Sequence, residues 1–220
     1  DSAQYFSIAA YGRAISLEGI PEVIAAEVGA ATGVLALAAL IVVAVAAAWH
    51  TLALTADGQV YAWGRNTYGQ VGNGAFGIDA KETRPARVEG LADVVAVAAG
   101  WDHSLALTRA GTVYAWGSRC HGQLGDGIRE TGRPSPVPVA VQGLADVQAI
   151  AAGAFHSLAL TRSGTVLAWG SNWDGQLGTG KGGAGTHAAA PRPVLSVEGD
   201  EPLDGIRGIA AAGFHSVAVN

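Results

Sequence analysis

The chain has 220 residues, half of them hydrophobic and only 14% charged, which excludes a disordered chain and supplies material for a sizeable core. Its 32 glycines beside few charges point to short strands and tight turns. The net charge of −5, with no run of Lys or Arg, argues against a nucleic-acid platform, which needs a basic stripe to neutralise phosphates.

A chain that begins at Asp1 and holds no methionine is expected to be a processed, trimmed or fragmentary product, with signal-peptide removal as one route. A bacterial protein, secreted or in the cell envelope rather than cytoplasmic, is the expected setting. The single cysteine, Cys120, excludes an internal disulfide and leaves the redox compartment open. Residues 1–39 read as a degenerate partial repeat. Ala10-Tyr11-Gly12-Arg13 resembles Ala62-Trp63-Gly64-Arg65, and Glu18 to Ala25 aligns without a gap on Glu89 to Ala96. Residues 28–48 carry no charge and are long enough to span a bilayer as a helix. The competing reading is stronger: Leu40 to Trp49 repeats the pattern of Asp93 to Trp101 and so is the first strand of a repeat.

From there the repeat is plain. His50-Thr51-Leu52-Ala53-Leu54-Thr55 recurs from His103 and again from His156, a period of 53 residues. Thirteen residues after each His stands Trp-Gly, at Trp63, Trp116 and Trp169, followed by Gly-Gln-x-Gly at Gly69, Gly122 and Gly175. The units are residues 40–92, 93–145 and 146–204, with a fourth opening over residues 205–220. Each unit reads as four strands. In the second they are Val94 to Ala98, Ser104 to Thr108, Val113 to Trp116 and Pro136 to Val141. Gly58, Gly111 and Gly164 are expected at a positive φ in the turn between the second and third strands. Four short strands per unit of this length predict an all-β fold, a β-propeller of four-stranded blades. About three full repeats plus partial repeats at both ends predict one domain and an incomplete ring.

The string Ala-Ala-Gly-x-x-His-Ser-Leu-Ala-Leu-Thr … Ala-Trp-Gly … Gly-Gln-Leu-Gly, spelled nearly in full at Ala98 to Gly125 and Ala151 to Gly178, resembles the regulator of chromosome condensation repeat family. The resemblance covers residues 40–220 well and 1–39 weakly. It implies a propeller, commonly of seven blades, that serves as a protein-interaction platform. Family members include an exchange factor for a small GTPase, domains attached to ubiquitin ligases, a plant ultraviolet photoreceptor and bacterial propellers that inhibit β-lactamases. This chain is too short for seven blades.

Candidate sites follow from the same pattern. Packed sheets lie about 10 Å apart, so the repeated histidines are expected to hold local backbone by hydrogen bonds rather than converge on a metal. Trp63, Trp116 and Trp169 read as packed core aromatics. Gly100-Trp101-Asp102-His103 occurs once, and no arginine neighbours its tryptophan in sequence. Cys120-His121 offers too few ligands for zinc, and Gly182 to Gly185 lacks the Lys and Ser/Thr of a phosphate loop and reads as a flexible insertion. No catalytic set, cofactor site or metal site is expected. Partner-binding candidates are Tyr68, His121, Trp173 and Trp101, at positions where the repeats differ beside a fixed framework. The bland alternative, tolerated variation in surface loops, explains the same differences. The expected function is a non-catalytic protein-interaction module; the alternative is an assembly element whose open ends pair with another chain, as a homodimer for instance. No nucleic-acid partner is expected, nor membrane insertion.

Overall fold

A computed structural model of the chain describes residues 42–128, 133–197, 199 and 201–220, together with the short pair β1 (Ala9–Ala10) and β2 (Arg13–Ala14). The reading of residues 1–39 as a degenerate repeat therefore lies outside the described residues, that pair apart. So does the first part of the uncharged stretch; its last part is strand. No helix among the described residues is long and apolar enough to cross a membrane.

The fold is all-β. Three antiparallel four-stranded sheets follow one another along the chain. The first holds β3 (Val42–Ala47), β4 (His50–Thr55), β5 (Val60–Arg65) and β6 (Lys81–Arg87). The second holds β7 (Val94–Ala99), β8 (His103–Thr108), β9 (Val113–Gly117) and β10 (Ser135–Ala140). The third holds β11 (Val147–Ala152), β12 (His156–Thr161), β13 (Val166–Ser171) and β14 (His187–Pro193). A two-stranded sheet, β15 (Gly208–Ala212) and β16 (His215–Val219), ends the chain. Within each sheet the strands are paired in sequence order, which makes each a propeller blade. Among the described residues the sheets do not close into a ring. Every residue of β16 is exposed.

Leu and Ala alternate along the second strand because its two faces meet different neighbours. Leu52 and Leu54 of the first blade pack with Ala106 and Trp116 of the second. Leu105 and Leu107 of the second pack with Ala159 and Trp169 of the third. The bulky face of one blade thus meets the small face of the next, with a tryptophan closing the seam. Such large-against-small pairing fills the space between sheets at interior density. Trp116 and Trp169 are fully buried; Trp63 is only half-buried.

The turns between second and third strands have φ of 79°, 81° and 88° at Gly58, Gly111 and Gly164, as the repeat predicts. Two aspartates, Asp93 and Asp146, also take the left-handed region, at 52° and 51°, and the equivalent position in the last unit is Gly205 at 66°.

The histidines do something other than hold local backbone. His50 Nε2 lies 2.6 Å from Ser104 Oγ, His103 Nε2 lies 2.9 Å from Ser157 Oγ, and His156 Nε2 lies 2.9 Å from Ser216 Oγ. Each bond crosses to the next blade. Each serine in turn donates its one hydroxyl proton to a carbonyl of the previous blade: Ser104 to Gln70, Ser157 to Gln123, Ser216 to Gln176. The serine oxygen must therefore accept from the ring, so the histidine carries a proton on Nε2, and burial keeps the ring neutral. Local backbone was the wrong expectation because β-strand backbone is already paired in its sheet, which leaves the ring free to reach across the seam.

Candidate binding face

Antiparallel order puts two kinds of connection at the same end of every blade: the turn between first and second strands, and the Gly-Gln-x-Gly loop between third and fourth. Both are held rigidly. In the turns, the carbonyl of the residue before each histidine is tied to the end of the third strand. Trp49 O accepts from Arg65 N at 3.1 Å, Asp102 O from Ser118 N at 2.7 Å, and Phe155 O from Ser171 N at 2.9 Å. Neighbouring turns are also stitched together, Trp101 N to Ala154 O at 3.1 Å and Ala154 N to Gly213 O at 2.8 Å. In the loops, the glutamine side chain bonds back two residues, to the N–H of Tyr68, His121 or Asp174 at 2.9, 2.8 and 2.9 Å.

On this framework stands a continuous group of aromatic rings drawn from four blades. Trp49 and Trp101 stack with centroids 5.6 Å apart and planes 9° from parallel. Trp101 meets Phe155 and Phe214 edge-on at 5.4 and 5.7 Å. His121 meets Phe155 and Trp173 edge-on at 5.2 and 5.1 Å. Offset stacks and edge-to-face contacts are the geometries the ring quadrupoles favour. Trp49, Trp173 and Phe214 are about half exposed, at 50%, 49% and 45%.

One charged pair borders the rings. The Arg65 guanidinium lies 4.2 Å from the centroid of Trp49, and its Nη1 is 3.9 Å from Asp102 Oδ1. Burial raises the Asp102 carboxyl above its usual range and Arg65 opposes that rise. Burial also lowers His121, with His187 adding to the effect, so its ring is displayed neutral. Arg119 holds Asp126 at 2.6 Å and so fixes the base of the second loop.

Of the four predicted binding residues, Trp101, His121 and Trp173 meet in this group. Tyr68 is half-buried on the first loop and is in none of the described ring contacts. Trp49, Phe155, Phe214 and Arg65 were not among the predicted residues. Trp49, Phe155 and Phe214 share a signal: each stands immediately before a repeat histidine. An arginine does accompany the stacked pair, although the sequence reading concerned Trp101 alone. It comes from the end of β5, and it covers Trp49 rather than Trp101. The Gly182 to Gly185 insertion is also better tied down than predicted. Thr186 Oγ1 donates to Asn172 O at 2.9 Å and Gly183 N to Trp173 O at 3.1 Å, which anchors the Trp173 loop. Among the described residues no three His, Cys, Asp or Glu gather at metal-binding spacing.

The sequence model of the RCC1-like domain family matches residues 10–220. The chain belongs to that family. It is 39% identical over 171 residues to the human probable E3 ubiquitin-protein ligase HERC3, covering 77% of this chain and 15% of that protein. It is 32% identical over 171 residues to human E3 ubiquitin-protein ligase HERC2, covering 3% of that protein. Among solved structures, Prp20p of Saccharomyces cerevisiae superposes with a TM-score of 0.70 at 26% identity, over 80% of this chain and 43% of that one. Human WBSCR16 superposes with a TM-score of 0.67 at 26% identity, over 81% and 44%. The chain thus spans less than half of these structures and a small part of the ligases. Prp20p has been studied for binding to Gsp1p and histones, and for its complex with Kap60. The RCC1-like fold is in general a protein-interaction domain.

Proposed function

We propose that this chain is a non-catalytic protein-binding module, and that the ring group of Trp49, Trp101, Phe155, His121, Trp173 and Phe214 is its contact face. The observation that carries the proposal is a half-exposed aromatic surface on rigid turns, with one partly exposed ion pair at its margin. Tryptophan and arginine dominate the energetics of protein interfaces, and fixed side chains lose little entropy on binding. The paired Arg65 and Asp102 would orient a partner more than they would tighten it. A comparison of proteins captured by three immobilised chains tests this. The first is the parent, the second carries Trp49→Ser, Trp173→Ser and Phe214→Ser, and the third carries Arg109→Ser and Arg162→Ser at the opposite end of the blades. The expected result is a set of proteins held by the first and third and lost by the second. Capture that does not distinguish the second chain from the third would overturn the proposal.

The second reading is an assembly role in which the open end pairs with another chain, and the fully exposed β16 favours it. Unpaired strand edges are templates for further pairing. Sedimentation of the purified chain is the direct measure: a monomer at all concentrations speaks against self-association.

A further inference from the structure

At the seam between the first and second blades, the glutamine of the Gly-Gln-x-Gly loop meets the residue that stands before the next repeat histidine. Gln70 Oε1 accepts from Tyr68 N at 2.9 Å, which turns the amide nitrogen across the seam, and Nε2 reaches Asp102 Oδ1 at a long 3.5 Å. At the seam between the second and third blades the glutamine is held in the same way. Gln123 Oε1 accepts from His121 N at 2.8 Å, and Gln123 is fully buried. Its Nε2, however, has no acceptor among the described residues. The residue at the position of Asp102 is here Phe155.

The two turns share their backbone frame. Asp102 O accepts from Ser118 N and Phe155 O from Ser171 N, and a Cβ on Gly117 or Gly170 would come within 2.5 Å of the carbonyl oxygen of Asp102 or Phe155 respectively. The side chain at 155 therefore leaves the backbone where that of Asp102 does, and an acceptor carried there would meet the Gln123 amide. The turn is also pinned to its neighbour, with Trp101 N donating to Ala154 O at 3.1 Å. A buried amide N–H without a partner is costly, and folded proteins leave few of them.

What Phe155 supplies instead is connection. Its ring lies 5.4 Å from Trp101 and 5.2 Å from His121, and both contacts are edge-on. Trp49, Trp101 and Phe214 form one side of the aromatic face, and His121 and Trp173 the other. Every described ring contact between the two sides runs through Phe155.

We propose that Phe155 determines what the contact face selects. It stands where the seam calls for a hydrogen-bond acceptor, and it makes one apolar surface out of two ring clusters. The proposal rests on the reading of the ring group as the binding face and deepens it by naming the central residue and the partner's chemistry. The partner is a polypeptide that presents an apolar side chain to the junction of Trp101, Phe155 and His121, whose ring burial keeps neutral. A residue kept at the expense of stability is characteristic of a functional position.

The test compares Phe155→Asn and Phe155→Leu in the full chain. Both remove the ring, but only asparagine brings an acceptor to Gln123. Phe155→Asn is expected to melt at least about 2 °C above Phe155→Leu, although leucine is the better apolar filler. When immobilised, both are expected to hold at least about tenfold less of the proteins that the parent retains and the triple variant of Trp49, Trp173 and Phe214 releases. Loss of capture in the more stable of the two variants separates a binding role from a structural one. A leucine variant that melts as high as the asparagine variant overturns the proposal, because Gln123 then needs no acceptor. Undiminished capture by either variant, with loss by the triple variant, overturns the proposal alone and leaves the contact face standing. Undiminished capture by the triple variant removes the contact face, and the proposal falls with it.

Discussion

His103 of one blade donates from Nε2 to Ser157 of the next across 2.9 Å, and Ser157 returns its proton to Gln123 of the first. Two blades are thus joined by a relay of three polar groups, all buried. His103→Ala removes one link and opens a cavity, and a loss of about 2–4 kcal/mol is expected in urea unfolding. Ser157→Ala leaves the imidazole N–H unpaired, and its expected loss is about 1–3 kcal/mol. The double variant should lose less than the sum by about 1 kcal/mol. Strict additivity would show that the two residues do not interact.

Acid should unfold the chain early. Burial holds His50 and His103 at about 3 and His156 at about 4, below the ordinary 6.5. The unfolded chain therefore binds more protons than the folded one between about 6.5 and those values. The histidines' contribution to stability is complete above about pH 6.5 and is lost as pH falls through this window, at about 1.4 kcal/mol per unit for each ring. A melting temperature that falls steeply from pH 6.5 to 4.5, and less steeply in His103→Ala, is the expected result. A flat profile would mean that the rings are not buried neutral.

The tryptophans should separate by burial. Trp116→Ala should cost about 3–5 kcal/mol, because a fully buried indole and its bond to Gln70 are both lost. Trp63→Ala should cost under about 2 kcal/mol, since its half-buried ring sits in a minor cluster with Val42, Val45 and Tyr61. Equal losses measured by denaturant titration would contradict this placement.

One substitution should cost nothing. Asp146 occupies a left-handed conformation, φ 51°, that the last unit fills with glycine at Gly205. Asp146→Gly relieves a cost of about 1 kcal/mol, against the extra freedom glycine brings to the unfolded chain. An unchanged or slightly raised melting temperature is expected, whereas Asp146→Val should lower it clearly.

The blades were legible in the sequence because the residues that make a seam recur. A leucine needs a facing alanine, an indole needs a facing glycine, and these requirements repeat at a fixed spacing. The role of His103 was not legible, since its partner Ser157 belongs to the next unit and looks like a strand residue. The binding face was legible only in part. His121 and Trp173 stood out as differences beside a constant motif. Trp49, Asp102, Phe155 and Phe214 fill one equivalent position with three residue types, so only its place before the repeat histidine marked it. Only folding brings their turns together, and only the pairing of β4 with β5 sets Arg65 directly beside Trp49.

The clasps also have a direction. Histidine always reaches forward along the chain, and the indole always reaches back. Among the described residues these clasps join each unit to its immediate neighbours, so along its seams the chain behaves as a short one-dimensional lattice. Opening should therefore begin in the strands with the fewest clasps and run along the seams like a zipper. Amide exchange should then be slowest in β8 and β12, which have a clasp on either side, and faster in β16, which has one. Adding a unit to the forward end should slow exchange in the unit behind it without changing any residue there.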